Sequence, residues 1–133
     1  MPELKLKQLL FESDSWKRLV GFMMDENIQM KQRLTIILKD NFDKNLLEEV
    51  ENFQSTFIKG DELINLLRND VGELDKLLVR EIFEDGKIIK DIDGSLKRLR
   101  NDIINAERHF SNLKLEFNNF VVTNINTNEM LET

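Results

Sequence analysis

The side chains of this chain that could do chemistry are few and poorly matched to one another. Its 133 residues include one His, His109, and no Cys. Disulfides, thiolate metal sites and catalytic thiols are therefore excluded. A di-iron helical bundle needs a Glu three residues before each ligating His, and Ala106 holds that position before His109. We interpret His109 as a partly exposed surface residue and expect no metal site.

Carboxylates are plentiful, but none has the spacing of a known site. The segment DIDGS at 91–95 begins like a calcium-binding loop, yet it lacks the third acidic ligand and the Glu that closes such a loop. The sequence also contains no Gly-rich phosphate loop and no serine nucleophile elbow. It therefore predicts no catalytic residue, no cofactor and no small-molecule ligand. We expect a protein that is not an enzyme.

The charge balance argues against a nucleic-acid partner. The formal net charge is -6 and the isoelectric point is about 4.9, whereas a protein that binds a duplex needs a basic face. The one basic cluster is KRLR at 97–100, with Asp93 and Asp102 at helical spacing beside it. We expect these carboxylates to pair with Lys97 and Arg98. The cluster is interpreted as a solvated helix face.

Apolar residues recur at alternating spacings of three and four along most of the chain. Such rows predict long helices that each turn one stripe toward a partner. The row of the first segment is Leu6, Leu9, Ser13, Trp16, Val20, Met23, Asn27, Met30, Leu34, Ile37. The row of the middle segment is Leu46, Val50, Phe53, Phe57, Gly60, Ile64, Leu67, Val71, Leu74, Leu78. The row of the last segment is Ile89, Ile92, Leu96, Leu99, Ile103, Ala106, Phe110, Leu113, Phe117, Phe120.

The three rows predict an all-α fold, an elongated antiparallel three-helix bundle or coiled coil with helices at about 3–40, 44–84 and 87–122. Each helix would be about 55–60 Å long at 1.5 Å per residue. The short connections require antiparallel neighbours. Residues 1–122 are expected to form one domain, and the polar residues 123–133 a disordered tail.

The junctions carry signals that agree with these boundaries. Asp43 is predicted to cap the second helix, with Phe42 contacting Leu47 across the first turn. Gly86 can take the left-handed conformation that ends a helix. The third helix has an alternative start, with Ser95 as its cap.

Gly60 and Asn27, like Ser13, are row positions without an apolar side chain. The row keeps its phase across Gly60, which favours a continuous helix in which Gly60 admits a bulky neighbour at a cost of about 1 kcal/mol. A kink at Gly60 is the alternative. Asn27 is interpreted as a buried residue that fixes the register of the helices. The sequence leaves open whether the first helix continues through Ser13 to Ser15.

Apolar residues outside the rows define a candidate interaction face: Leu19, Phe22, Ile36, Ile58, Leu66 and Phe83. A second apolar surface on a helical bundle favours self-association or the docking of a partner helix. The predicted function is a non-catalytic interaction or scaffolding module that binds a protein partner or assembles as a homo-oligomer.

The sequence permits two alternative functions. Residues 3–12 combine leucines with lysines and could lie on a membrane surface. A polar pocket at Asn27 could serve a ligand-binding bundle or an enzyme. No apolar run reaches the roughly 18 residues of a membrane span, and the N-terminus lacks a signal-peptide cleavage site. We expect a cytoplasmic protein, with membrane binding and small-molecule binding disfavoured.

Overall fold

A computed structural model describes residues 2–40, 43–81 and 87–124, with the side chains of 5–39, 43–81 and 87–124, and shows an all-α bundle. Its helices are α1 (Pro2–Asp40), α2 (Leu47–Glu81), α3 (Lys87–Asp91) and α4 (Asp93–Asn124), with a 3₁₀ turn at Lys44–Leu46 before α2. The predicted all-α fold is confirmed. α1 runs unbroken through Ser13 and Ser15, and α2 runs unbroken through Gly60.

The core lies where the three apolar rows face one another. Nearly every member of the rows is buried, including Trp16, and the most enclosed large side chains are Phe57 and Phe117. These two rings meet edge to face, with centroids 5.3 Å apart. Phe53 and Phe120 complete an aromatic cluster at this end of the bundle. Because each aromatic ring buries a large apolar area, this end contributes a large share of the apolar burial.

Polar contacts establish the direction of the helices. Ser13 of α1 contacts Asp75 of α2, and Asn27 contacts Asp61, so residue numbers rise in α1 as they fall in α2. Between α1 and α4, Glu12 contacts Arg100 and Glu26 contacts Lys114; here both numbers rise together. α1 is therefore antiparallel to α2 and parallel to α4, in an up-down-up arrangement.

The start of the second helix follows the predicted cap. The Asp43 carboxylate accepts a hydrogen bond from the Asn45 backbone N–H at 2.9 Å, although the first turn is 3₁₀ rather than α. Phe42 lies outside the described residues, as do Gly86 and the tail beyond Asn124. The structure thus confirms the Asp43 cap and leaves the predictions at Phe42 and Gly86 untested.

The last long helix is described from Lys87 onward and is interrupted at Ile92. The Ile92 N–H still donates to the Ile88 carbonyl at 3.0 Å, and Leu96 donates to Ile92 at 2.8 Å. The hydrogen-bond ladder therefore passes through the irregularity, so α3 and α4 form one slightly distorted helix. Ser95 lies within α4 and is not its cap.

Candidate interaction surfaces

A buried polar layer surrounds Asn27 and Gly60. The fully buried Asn27 amide donates from Nδ2 to the Phe57 carbonyl at 3.0 Å and to Asp61 Oδ1 at 2.8 Å. A Cβ added to Gly60 would lie 3.0 Å from Phe110 Cε1 and 3.3 Å from Asn27 Nδ2. Gly60 thus lies directly beneath the ring of Phe110, so α4 supplies the bulky neighbour expected from the sequence.

The same polar arrangement occurs twice between α1 and α2. In the first layer Lys31 Nζ lies 2.6 Å from Asp61, beside Asn27. In the second, fourteen residues away on each helix, Lys17 Nζ lies 2.9 Å from Asp75, and the fully buried Ser13 donates to the same carboxylate at 3.4 Å. Fourteen residues are two heptads, so both layers lie on the same side of the helix pair.

Arg100 of the KRLR cluster bridges α4 to α1 at the half-buried edge of the bundle. Its guanidinium donates to both carboxylate oxygens of Glu12, at 2.8 and 2.9 Å. This hydrogen bond, with the charge of Glu12, raises the pKa of Arg100 above its usual value. Lys97 pairs with Asp93 at 3.2 Å, as predicted. Arg98 and Asp102 do not form the predicted ion pair in the described part of the chain.

The candidate face from the sequence is distributed over different sides of the bundle. Phe22 and Ile36 are exposed on the outer side of α1, while Leu19 is half-buried against the core. Leu66 lies in a groove between α2 and α4. Ile58 is exposed on the other side of α2. It lies two heptads before Gly72, which lines the groove between α1 and α2. Phe83 lies outside the described residues.

Three depressions in a line form one groove between α2 and α4. The depression at the aromatic end is lined by Glu49, Asn52, Phe53, Thr56, Leu113, Glu116, Asn119, Phe120, Thr123 and Asn124. The middle one is lined by Leu63, Leu66, Leu67, Asp102, Asn105, Ala106 and His109. The far one is lined by Asp70, Glu73, Leu74, Leu77, Ile92, Ser95, Leu96, Arg98, Leu99 and Asp102. We call this surface the α2–α4 groove.

The α2–α4 groove has an apolar floor and an acidic rim. Its acidic lining residues are Glu49, Asp70, Glu73, Asp102 and Glu116, against the single cationic side chain of Arg98. Leu66, on the rim, is 58% exposed to solvent. A groove with apolar floor and charged rim is suited to an amphipathic helix.

A second surface runs along the outer side of α1. We define the α1 outer stripe as Phe11, Ser15, Arg18, Phe22, Asp25, Gln29, Arg33 and Ile36, which follow one another at spacings of three and four. Its three apolar members are 71%, 60% and 59% exposed. Phe11, which sequence reasoning missed, is the most exposed of them; its spacing from Phe22 could have revealed it. Arg18 and Arg33 outnumber Asp25, so the stripe carries a net positive charge.

Three leucines of residues 3–12 contribute to the bundle. Leu9 is buried, and Leu6 and Leu10 pack against the core, which leaves Lys5, Lys7 and Phe11 exposed. None of the helices in the described ranges combines the length and apolar composition needed to cross a bilayer. Those ranges also hold no cluster of three metal-ligating side chains.

Comparisons with protein families, curated proteins and solved structures give no significant match to this chain.

Proposed function

We propose that this protein is a non-catalytic helical interaction module that associates with itself through the α2–α4 groove and serves as a scaffold. The observation that carries this proposal is the groove itself. Three aligned depressions with an apolar floor extend along two long helices, and α1 contributes no residue to any of them.

The exposed apolar residues support association rather than a solitary monomer. Leu66 in the groove, and Phe22 and Ile36 on α1, each leave more than half of the side chain in water. Single exposed apolar residues are common, but here they fall on two extended surfaces of opposite charge balance. The absence of Cys suits a reducing compartment, and we place the module in the cytoplasm.

Sedimentation velocity over a range of concentrations tests this function. The wild-type chain should sediment faster than a 15.7 kDa monomer as concentration rises. Leu66→Glu should return it to the monomer, because a carboxylate in the apolar groove would be desolvated without a partner. Circular dichroism should show unchanged helix content, since Leu66 is exposed.

Ile104→Glu is the matched control. Ile104 is 50% exposed on α4 but lies outside both the groove and the α1 outer stripe. Association should survive this substitution. A wild-type chain that remains monomeric at every concentration, or a loss of association in both variants, would contradict the proposal.

A further inference from the structure

We infer that the α2–α4 groove receives the α1 outer stripe of a second copy of this chain. The contact is heterologous, because it joins two different surfaces of the chain. This inference rests on the proposed function and specifies its partner, direction and register. The two surfaces lie on opposite sides of the bundle. The stripe is the side of α1 turned away from α2 and α4, and the groove contains no α1 residue. Each copy therefore offers one of each.

The apolar residues of the stripe match the spacing of the depressions along α4. Phe11 and Phe22 are eleven residues apart, as are Ser95 and Ala106 of the groove. Ile36 follows Phe22 by fourteen residues, as Phe120 follows Ala106. With Phe22 over Ala106, all three apolar residues of the stripe lie over depressions. The docked α1 is then parallel to α4, as it is within one copy.

The α2 side of the groove supports the same register. Leu66 shares the middle depression with Ala106, and Leu77 shares the far depression with Ser95. Phe53 shares the aromatic-end depression with Phe120. Phe22 therefore meets Leu66, Phe11 meets Leu77, and Ile36 meets Phe53. Each apolar residue of the stripe has an apolar partner on α2.

The charged residues are complementary in this register. The offset that places Phe22 over Ala106 is 84 residues, and the same offset places Arg18 over Asp102 and keeps Asp25 away from the acidic lining residues, at the level of His109. Asp70 and Glu73 line the same depression as Asp102, together with Arg98, so Arg18 enters a depression in which three carboxylates outnumber one guanidinium. Arg33 reaches the level of Glu116. Shifting the stripe one heptad toward lower α4 numbers would bring Asp25 onto Asp102.

The assembly that follows is open. A stripe that docks in a different surface makes a heterologous contact, which forms chains or rings rather than a closed two-fold dimer. Because the stripe and the groove face opposite ways, copies stack side by side with their long axes parallel. The same interface repeats at each step.

Disulfide trapping tests the register, and the chain has no native Cys to interfere. Ser15 and Glu73 meet when Phe22 lies beside Leu66, because Ser15 precedes Phe22 by seven residues and Glu73 follows Leu66 by seven. Ser15→Cys with Glu73→Cys preserves every apolar residue of both surfaces. Mild oxidation should give a ladder of linked dimers, trimers and longer chains on a non-reducing gel. The ladder should disappear when the sample is reduced.

Gln29→Cys with Glu73→Cys is the out-of-register control. It uses the same groove position and a stripe position about 21 Å away at 1.5 Å per residue, beyond the reach of a disulfide. This pair should give no ladder. Equal ladders from both pairs would overturn the inferred register.

Charge reversal gives an independent test. Arg18→Glu places a further carboxylate beside Asp70 and Asp102 and should weaken association about tenfold or more. Adding Asp70→Lys and Asp102→Lys in the same chain should restore it.

The outcomes separate the inference from the proposed function. A groove-dependent dimer that never extends, with no ladder, would overturn the heterologous contact while the interaction function stands. A chain that stays monomeric would overturn both.

Discussion

At the scale of single residues, Gly60 shows how a close helix approach outweighs helix propensity. Replacing Gly by Ala in a helix interior normally stabilises the protein by about 1 kcal/mol. At Gly60 the added methyl group would press on the buried Phe110 ring at 3.0 Å, and overpacking a core costs about 1–3 kcal/mol. We expect Gly60→Ala to lower the free energy of unfolding by about 1 kcal/mol in urea denaturation.

Gly72→Ala is the control in the same helix. A Cβ at Gly72 would meet no atom within 4 Å, so propensity alone should act and raise stability by about 0.5–1 kcal/mol. Equal stabilisation by both substitutions would show that the Phe110 ring moves aside freely. Gly60→Ala should lower stability less in a Phe110→Leu background than in the wild type, because the ring atoms in contact with the new methyl group are then absent.

At the scale of helices, the two polar layers between α1 and α2 define one register. A slip of one heptad in either direction would bring Lys17 or Lys31 opposite Arg68, which lies midway between Asp61 and Asp75. A slip of two heptads would retain one layer and lose the other. Partly exposed ion pairs contribute about 0–1 kcal/mol each, so the layers serve to exclude other registers more than to add stability.

Asn27→Leu tests this role of the polar layer. The substitution removes a buried Oδ1 that has no hydrogen-bond partner in the described residues and buries apolar carbon instead. It also loses the two bonds from Nδ2, worth about 1 kcal/mol each. Because an unsatisfied buried acceptor costs about 1–3 kcal/mol, we expect stability to be equal or about 1 kcal/mol higher.

The decisive readout for Asn27→Leu is the uniqueness of the fold. Amide NMR spectra should show additional resonances from α1 and α2 as other registers become populated. A single set of resonances with stability lowered by more than about 2 kcal/mol would mean that Asn27 stabilises the fold and does not select its register. Ser111→Ala, on the exposed face of α4, should leave both spectrum and stability unchanged.

The helices themselves could be predicted because their apolar rows persist for ten members each. The phase of the row across Gly60 was sufficient to predict a continuous α2, and the missing side chain was sufficient to predict a close neighbour. The identity of that neighbour was not predictable, since Phe110 belongs to a helix fifty residues further along the chain.

The arrangement of the outer residues could not be predicted from the rows. A three-helix bundle can turn in either hand with the same buried residues, and the hand decides which flank of each helix faces which neighbour. The sequence therefore predicts one face for Phe22 and Leu66, whereas the structure places Leu66 in the α2–α4 groove and Phe22 on the outer side of α1. The rows also do not predict the pairing of Arg100 with Glu12, which lies 88 residues away on another helix. Local spacing indicates only Asp93 and Asp102 as partners for the basic cluster.

At the scale of the whole molecule, the net charge of -6 opposes association of identical chains. Treated as point charges about 20 Å apart, two copies repel by about 7 kcal/mol in water without salt. A Debye length of about 30 Å at 10 mM salt leaves about half of this repulsion, whereas about 8 Å at 150 mM leaves less than a tenth. The salt-dependent change is thus about 3 kcal/mol.

This repulsion predicts that salt strengthens self-association. The few charge pairs of the inferred interface lie at its rim, where each contributes about 0–1 kcal/mol, so screening them loses less than screening the net charge gains. Apolar contacts at Phe11, Phe22 and Ile36 are insensitive to salt in this range. Sedimentation velocity at pH 7 should therefore show longer assemblies at 150 mM than at 10 mM NaCl. Assemblies that shorten steadily as salt is added would mean that the charge pairs, rather than the apolar residues, hold the copies together.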